Sequence, residues 1–376
     1  MGRMFMGHLY CGMCDAKYEL DDPRWKCDCG SYLDIEFEPN FDPVAIATGP
    51  RSLWRYRKAI PIRDDSDIVS LDEGFTPLAD LVLDGNRVKV KLDHLCPTGS
   101  FKDRGASVLV SRLKEIGVTR VVEDSSGNAG SALAAYCSRA GIECAVFVPE
   151  AARPDKVALI RSHGAEVRTV AGDREDTAAA ALEAAESTYY ASHVWSPYFL
   201  QGTKTFAYEI CEQLGWRAPD SVVLPVGNGT LLLGAFTGFK ELLAAGFIGM
   251  LPRLIGVQSS KCNPIARAYE NGWDQPRPVP TGATIADGIA VAAPLRGKQI
   301  LEAVTGSGGS FISVEDAEIE AAREEVGRTG YSVEPTAAAA PAAIMRRRAD
   351  SGIIVTTLSG ADGKPMAGRS HPRARD

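Results

Sequence analysis

The feature that most constrains the fold is a regular alternation of short apolar runs with helix-period segments, starting near residue 100. Residues 101–117 repeat with a helical period and stop at glycine, and the strand-like 120–124 follows. The pattern continues as helix 130–140, apolar run 144–148, helix 155–163, strand 166–170 and the Ala/Glu-rich helix 176–187. The second half alternates in the same way, with helix 205–214, strand 221–226, helix 231–245, strand 253–258, a charged amphipathic helix 315–329 and a late strand 352–358. Upstream, 78–83 and 87–92 read as strands joined by a turn at Asp84-Gly85-Asn86. Strands separated by helices of this length run parallel, because each crossover needs a helix, and the helices then cover both sheet faces. No solenoid-type repeat is present.

Several classes of function are disfavoured. A net charge of −7 does not suit a phosphate-backbone binder, and Arg346-Arg347-Arg348 is the sole basic run. No nucleic-acid partner is expected. Residues 222–239 are uncharged, but Pro225, Gly227, Asn228 and Gly229 interrupt them, so they read as strand, loop and helix and no membrane partner is expected. The N-terminus lacks the pattern of a secretory signal, which points to a cytoplasmic protein. Of nine cysteines, Cys96, Cys137, Cys144, Cys211 and Cys262 are scattered, unlike a disulfide framework.

The remaining four, Cys11, Cys14, Cys27 and Cys29, crowd into one short segment that is too small for its own core. Cys-x2-Cys followed by Cys-x-Cys looks like a zinc ribbon, in which four thiolates suit tetrahedral zinc and the metal folds the segment. The zinc would be structural, since no His-Glu set accompanies it. The alternative is a reduced module with unligated thiols.

Four loops carry the chemistry. The first, Pro97-Thr98-Gly99-Ser100-Phe101-Lys102-Asp103-Arg104-Gly105, is a turn opening a helix, with Thr98 or Ser100 available as its cap. Lys102 then lies in the first turn, where the helix dipole disfavours an ammonium and favours the neutral amine that a Schiff base requires. By itself a lysine at a helix start is ordinarily a surface residue. The second, Asp124-Ser125-Ser126-Gly127-Asn128-Ala129-Gly130, links strand to helix and offers backbone N–H groups to an anion such as an α-carboxylate. The third, Val226-Gly227-Asn228-Gly229-Thr230, lets backbone approach a phosphate at a helix start, without the spacing of a dinucleotide fingerprint. The fourth is the weaker glycine loop at 358–364.

In this order the four loops resemble the fold-type-II pyridoxal-phosphate (PLP) enzymes, and among them the threonine synthases. The resemblance covers about residues 70–364 and includes the entry segment Glu73-Gly74-Phe75-Thr76-Pro77-Leu78. It implies an α/β fold of two doubly wound open-sheet domains with an N-terminal zinc-ribbon-like module. The implied division is 1–38 for the module, 39–95 with 206–364 for the larger PLP domain, 96–205 for the smaller domain, and 365–376 as a disordered tail.

For the site, the resemblance implies that Lys102 anchors the cofactor covalently and acts as the catalytic base, with Asn128 on the cofactor's ring oxygen. Gly227, Asn228, Gly229 and Thr230 would hold its phosphate, and Ser359 would face the pyridine nitrogen. Ser125, Ser126, Gly127 and Ala129 would seat the substrate carboxylate. Threonine synthases also carry an N-P-F-R-x-E-G-Q-K-T pattern whose Asn and Arg bind the substrate's phosphate. Here the stretch reads Ser196-Pro197-Tyr198-Phe199-Leu200-Gln201-Gly202-Thr203-Lys204-Thr205, with Ser196 for the Asn and Phe199 for the Arg. Ser196 and Lys204 are the substrate contacts left in that stretch.

The implied activity is α-deprotonation of a small amino acid with elimination or replacement at the β- or γ-carbon, most like conversion of O-phosphohomoserine to threonine. A serine or threonine dehydratase, or a β-replacing synthase on O-phosphoserine of the cysteate synthase type, shares these parts. So does a non-catalytic PLP-fold protein that uses its ribbon to bind a partner. A homodimer is compatible with the sequence, which does not fix the oligomeric state.

Overall fold

The computed structural model describes residues 7–172, 174–280, 282–346 and 352–363. The tail 365–376, Lys364, Arg347 and Arg348, and the first six residues of the cysteine module lie outside these.

The strands form three sheets. Strands β1 (Gly7–Tyr10), β2 (Lys17–Glu19) and β3 (Asp34–Phe37) make a small antiparallel sheet in the order β2-β1-β3. The largest sheet begins with the hairpin β4 (Leu78–Leu83) and β5 (Asn86–Lys91). The chain then builds β6 (Arg120–Glu123), β7 (Glu143–Pro149), β8 (Glu166–Val170) and β9 (Tyr189–Tyr190), which form a parallel sheet in the order β8-β7-β6-β9. It returns to the largest sheet with β10 (Ser221–Pro225), β11 (Arg253–Ser259), β12 (Ser310–Val314) and β13 (Ile354–Thr357). That sheet has the order β12-β11-β10-β13-β5-β4, parallel except for the β4 edge.

The helices are α1 (Pro43–Thr48), α2 (Lys102–Glu115), α3 (Asn128–Ala140), α4 (Pro154–Ser162), α5 (Arg174–Ala184), α6 (Pro197–Thr203) and α7 (Thr205–Gln213). Beyond them come α8 (Thr230–Ala244), α9 (Pro264–Glu270), α10 (Gly297–Gly306), α11 (Asp316–Arg328) and α12 (Pro335–Arg346). Strand β10 is buried at every position, which is why it reads as a continuous apolar run without alternation. No helix among the described residues is long and apolar enough to cross a membrane.

Helix α2 is held by an unusual amount of buried charge. Arg104 donates to both oxygens of Asp93 (2.7 and 3.0 Å) and to Glu209 (2.5 and 2.8 Å), while the Lys91 ammonium sits 2.7 Å from Glu209. All four side chains are fully buried. Two cations and two carboxylates neutralise one another, which makes such burial tolerable. Thr76 of the entry segment joins by donating to Asp93 at 2.7 Å. In the same segment, Glu73 accepts from Trp54 and Tyr136.

The small antiparallel sheet is docked on the rest of the chain. Leu9, Leu20 and Leu33 share a core with residues of α2 and α3 such as Leu113 and Ala132. Trp25 packs edge-on against Tyr190 and Trp195. The buried Arg296 donates to the carbonyls of Leu33 and Val194 and to the Asp34 carboxylate.

Candidate active site

Each parallel sheet reverses its strand order at one point: β10 lies between β11 and β13, and β6 between β7 and β9. A crevice opens at the carboxyl ends of strands where the order reverses. The loops after β10, β13 and β6 surround one cleft, with a cavity of about 190 Å³. Lys102 lines it from the start of α2, with its ammonium 3.9 Å from the centre of the Phe101 ring. Residues 125–129 form a second wall and residues 227–230 a third. Ser359, almost fully buried, closes the floor. The loops singled out in the sequence therefore meet in one place.

Three helices, α2, α3 and α8, begin at this cleft, and none has a side-chain cap. In α2 the first-turn N–H groups of Asp103 and Arg104 turn back to the carbonyls of Ser100 and Phe101, and the three helix dipoles present partial positive charge to the same space. The cap expected for α2 is not formed. Thr98 instead turns its backbone N–H and hydroxyl to Asp103 (2.7 and 2.5 Å), and Phe101 takes the N-cap position with helical backbone angles. Gly229 caps α8 at φ 72°, and a Cβ there would lie 2.3 Å from Ile300, so only glycine fits.

Ser196 and Lys204 are not brought to this cleft. Ser196 is fully buried ahead of α6. The Lys204 ammonium is also fully buried, and burial of an ammonium demands a carboxylate, here Glu241 at 2.9 Å. Phe199 is turned inward where α6 crosses α2. A Cβ on Gly105 would lie 2.4 Å from its ring, and one on Gly202 would lie 1.9 Å from the Arg104 carbonyl. The close approach of the two helices needs both glycines and leaves a flat apolar site at position 199.

Sequence reading missed several cleft residues: Lys156, Arg174, His193, Asp287 and Glu334. Asn128 donates to Glu334 at 2.8 Å, and Lys156 pairs with Asp287 at 2.5 Å, so both contacts bridge the two parallel sheets' domains. His193 Nδ1 lies 2.9 Å from Glu123 Oε1, and its ring meets Phe199 edge-on. Burial pushes Glu123 well above the carboxylate range, reinforced by Asp124. Burial pushes His193 well below its ordinary value, reinforced by the charges of Lys102 and Arg174. Burial thus disfavours the charged form of each partner in this contact. The five segments carrying these residues have no local motif; only the helix starts at α4 and α5 were legible.

The Sγ atoms of Cys11, Cys14, Cys27 and Cys29 all lie within 4.8 Å of one another, with 3.6 Å between Cys11 and Cys29 and 3.5 Å between Cys14 and Cys27. Tetrahedral zinc with Zn–S bonds of about 2.3 Å spaces its sulfurs about 3.8 Å apart. The set fits that ion in both donor type and size.

A family model described as pyridoxal-phosphate dependent enzyme matches residues 69–360. Threonine synthase from Methanocaldococcus jannaschii is 36% identical over 357 residues, which cover 92% of this chain and 88% of the relative. Threonine synthase from Methanosarcina acetivorans is 35% identical, covering 93% and 88%. Among solved structures, the processed form of threonine deaminase isoform 2 from Solanum lycopersicum has a TM-score of 0.67 at 23% identity, covering 85% of this chain and 88% of that one. At that identity the likeness concerns the fold.

Proposed function

The chain belongs to the pyridoxal-phosphate-dependent enzyme family, and within it we propose a threonine synthase-type lyase that converts O-phosphohomoserine to threonine. The observation that carries this reading is the meeting of Lys102 with three uncapped helix starts in one cleft, the electrostatic setting for a phosphorylated cofactor and a carboxylate together.

The residues present fit the cofactor. Gly227, Asn228, Gly229 and Thr230 would hold its phosphate on the start of α8, where a side chain at 229 would collide. Ser359 would meet the ring nitrogen and Asn128 the ring oxygen. When bound, PLP supplies an electron sink for the pair left at the α-carbon. The backbone of residues 125–129 binds and orients the substrate carboxylate. Lys102 Nζ is both the anchoring amine and the base that takes the α-proton. Asn128–Glu334 and Lys156–Asp287 draw the two domains together over the cleft and exclude water.

The buried Phe199 favours a second reading, in which the substrate is O-phosphoserine or an unphosphorylated hydroxy-amino acid. Initial rates with O-phosphohomoserine, O-phosphoserine, serine and threonine separate the two. Threonine and inorganic phosphate formed in equal amounts from O-phosphohomoserine, at the highest kcat/KM of the four, is the expected result. A preference for any of the other three substrates would replace it.

The proposal includes structural zinc on Cys11, Cys14, Cys27 and Cys29. One zinc per chain is expected by elemental analysis, and Cys27→Ser should remove most of it. Because Trp25 packs on Tyr190 and Trp195, metal loss should also red-shift tryptophan fluorescence. Full zinc retention in Cys27→Ser would contradict the assignment. All nine cysteines are free, which supports a reducing, cytoplasmic setting.

A further inference from the structure

The cleft needs a group that recognises the substrate's leaving end, and the helix expected to supply it does not. In α6 the side chain at 199 is a phenyl ring packed on Gly105, and the ammonium of Lys204 is already neutralised by Glu241. Once residues 125–129, 227–230 and Ser359 are assigned to carboxylate and cofactor, a separate stretch of wall remains. Its ionisable side chains are Asp124, Lys156, Arg174, His193, Asp287 and Glu334. Lys156 is held by Asp287 at 2.5 Å. Arg174, the first residue of α5, is exposed and turned to the cleft.

We infer that Arg174 captures the phosphate of the substrate's side chain, in the role that a guanidinium on α6 would otherwise fill. The inference rests on the reading of the substrate as a phosphate ester. Its chemistry is that of a planar fork of N–H donors, which matches two phosphate oxygens at once in a way that an ammonium cannot. Its position agrees. Arg174 is near enough to the reacting centre that its charge, with that of Lys102, acts on His193 and also opposes the burial-driven rise of Asp124. Arg174 is thus a specificity residue: it decides which side chain is accepted, while Lys102 performs the proton transfer.

The test uses the holoenzyme, in which the cofactor's own phosphate site is filled. Wild type, Arg174→Gln and Arg174→Lys are compared by steady-state kinetics with O-phosphohomoserine and by calorimetric titration with inorganic phosphate. Loss of a charged, forked contact is expected to raise KM about 10- to 100-fold in Arg174→Gln, with kcat changed less than about threefold. Phosphate affinity should fall by a similar factor, and Arg174→Lys should recover part of it. KM and phosphate affinity both within about twofold of wild type would overturn the role of Arg174 and leave the reaction reading intact. A wild type that binds phosphate through Arg174 but turns over no phosphate ester would uphold the anion site and overturn the reaction reading instead.

Discussion

Lys102→Ala is expected to lower turnover by about a thousandfold or more, because one amine serves as both anchor and base. The variant should also lose the near-visible absorbance band of the wild type while keeping its fold. Lys102 lies outside the buried cluster of Lys91, Asp93, Arg104 and Glu209: its side chain lines the cleft and touches the Phe101 ring. Circular dichroism and urea midpoints close to wild type would separate chemical loss from misfolding. A variant with wild-type turnover would exclude Lys102 from the reaction.

The second large effect concerns stability. Glu209→Gln should destabilise the protein by about 3–5 kcal/mol, the usual cost of leaving buried charges without their partner. Glu209 faces Arg104 and Lys91 at once, so its neutral substitute leaves the buried Lys91 ammonium without a carboxylate at hydrogen-bond distance and Arg104 with Asp93 alone. Burial alone would raise the Glu209 pKa, but Arg104 and Lys91 outweigh it and hold it down to about 2. An acid whose folded pKa is depressed stabilises the fold fully above its unfolded value, about 4.3. That stabilisation is lost as pH falls from there toward 2. Acid unfolding of the wild type should therefore steepen in this window, and Glu209→Gln should remove that component. Urea denaturation with both proteins between pH 3 and 7 measures it. Equal midpoints at pH 7 would show that the cluster adds nothing to stability.

The consequence reaches the active site. Arg104 is two residues from Lys102, and the cluster ties α2 to β5, α7 and the entry segment. A partly stable Glu209→Gln protein should thus also bind cofactor less tightly.

Legibility followed the reach of each signal. The parallel architecture was plain because it is written locally, in fully apolar strands such as β10 and amphipathic helices such as α11. The alanine-rich α12 was not read, since it is buried almost all round and contains Pro341, leaving no polar face to mark a period. The two-residue β9 offers too few residues to declare itself. The same contrast holds at the site. Lys102, residues 125–129 and residues 227–230 are loops with their own glycine and hydroxyl chemistry. Arg174, His193 and Glu334 acquire meaning only when separate segments fold to one cleft. Ser196 and Lys204 show the converse: a residue aligned with a motif position can be buried away from the cleft lining. There α6 lies tight on α2, so residues expected at the substrate are buried behind it.

The most direct measurement is borohydride reduction of the purified holoenzyme, followed by peptide mass mapping. One pyridoxyl-phosphate adduct per chain is expected, on Lys102, and none elsewhere. An adduct on another lysine, or none on a protein saturated with cofactor, would contradict the assignment of Lys102 as the anchoring amine.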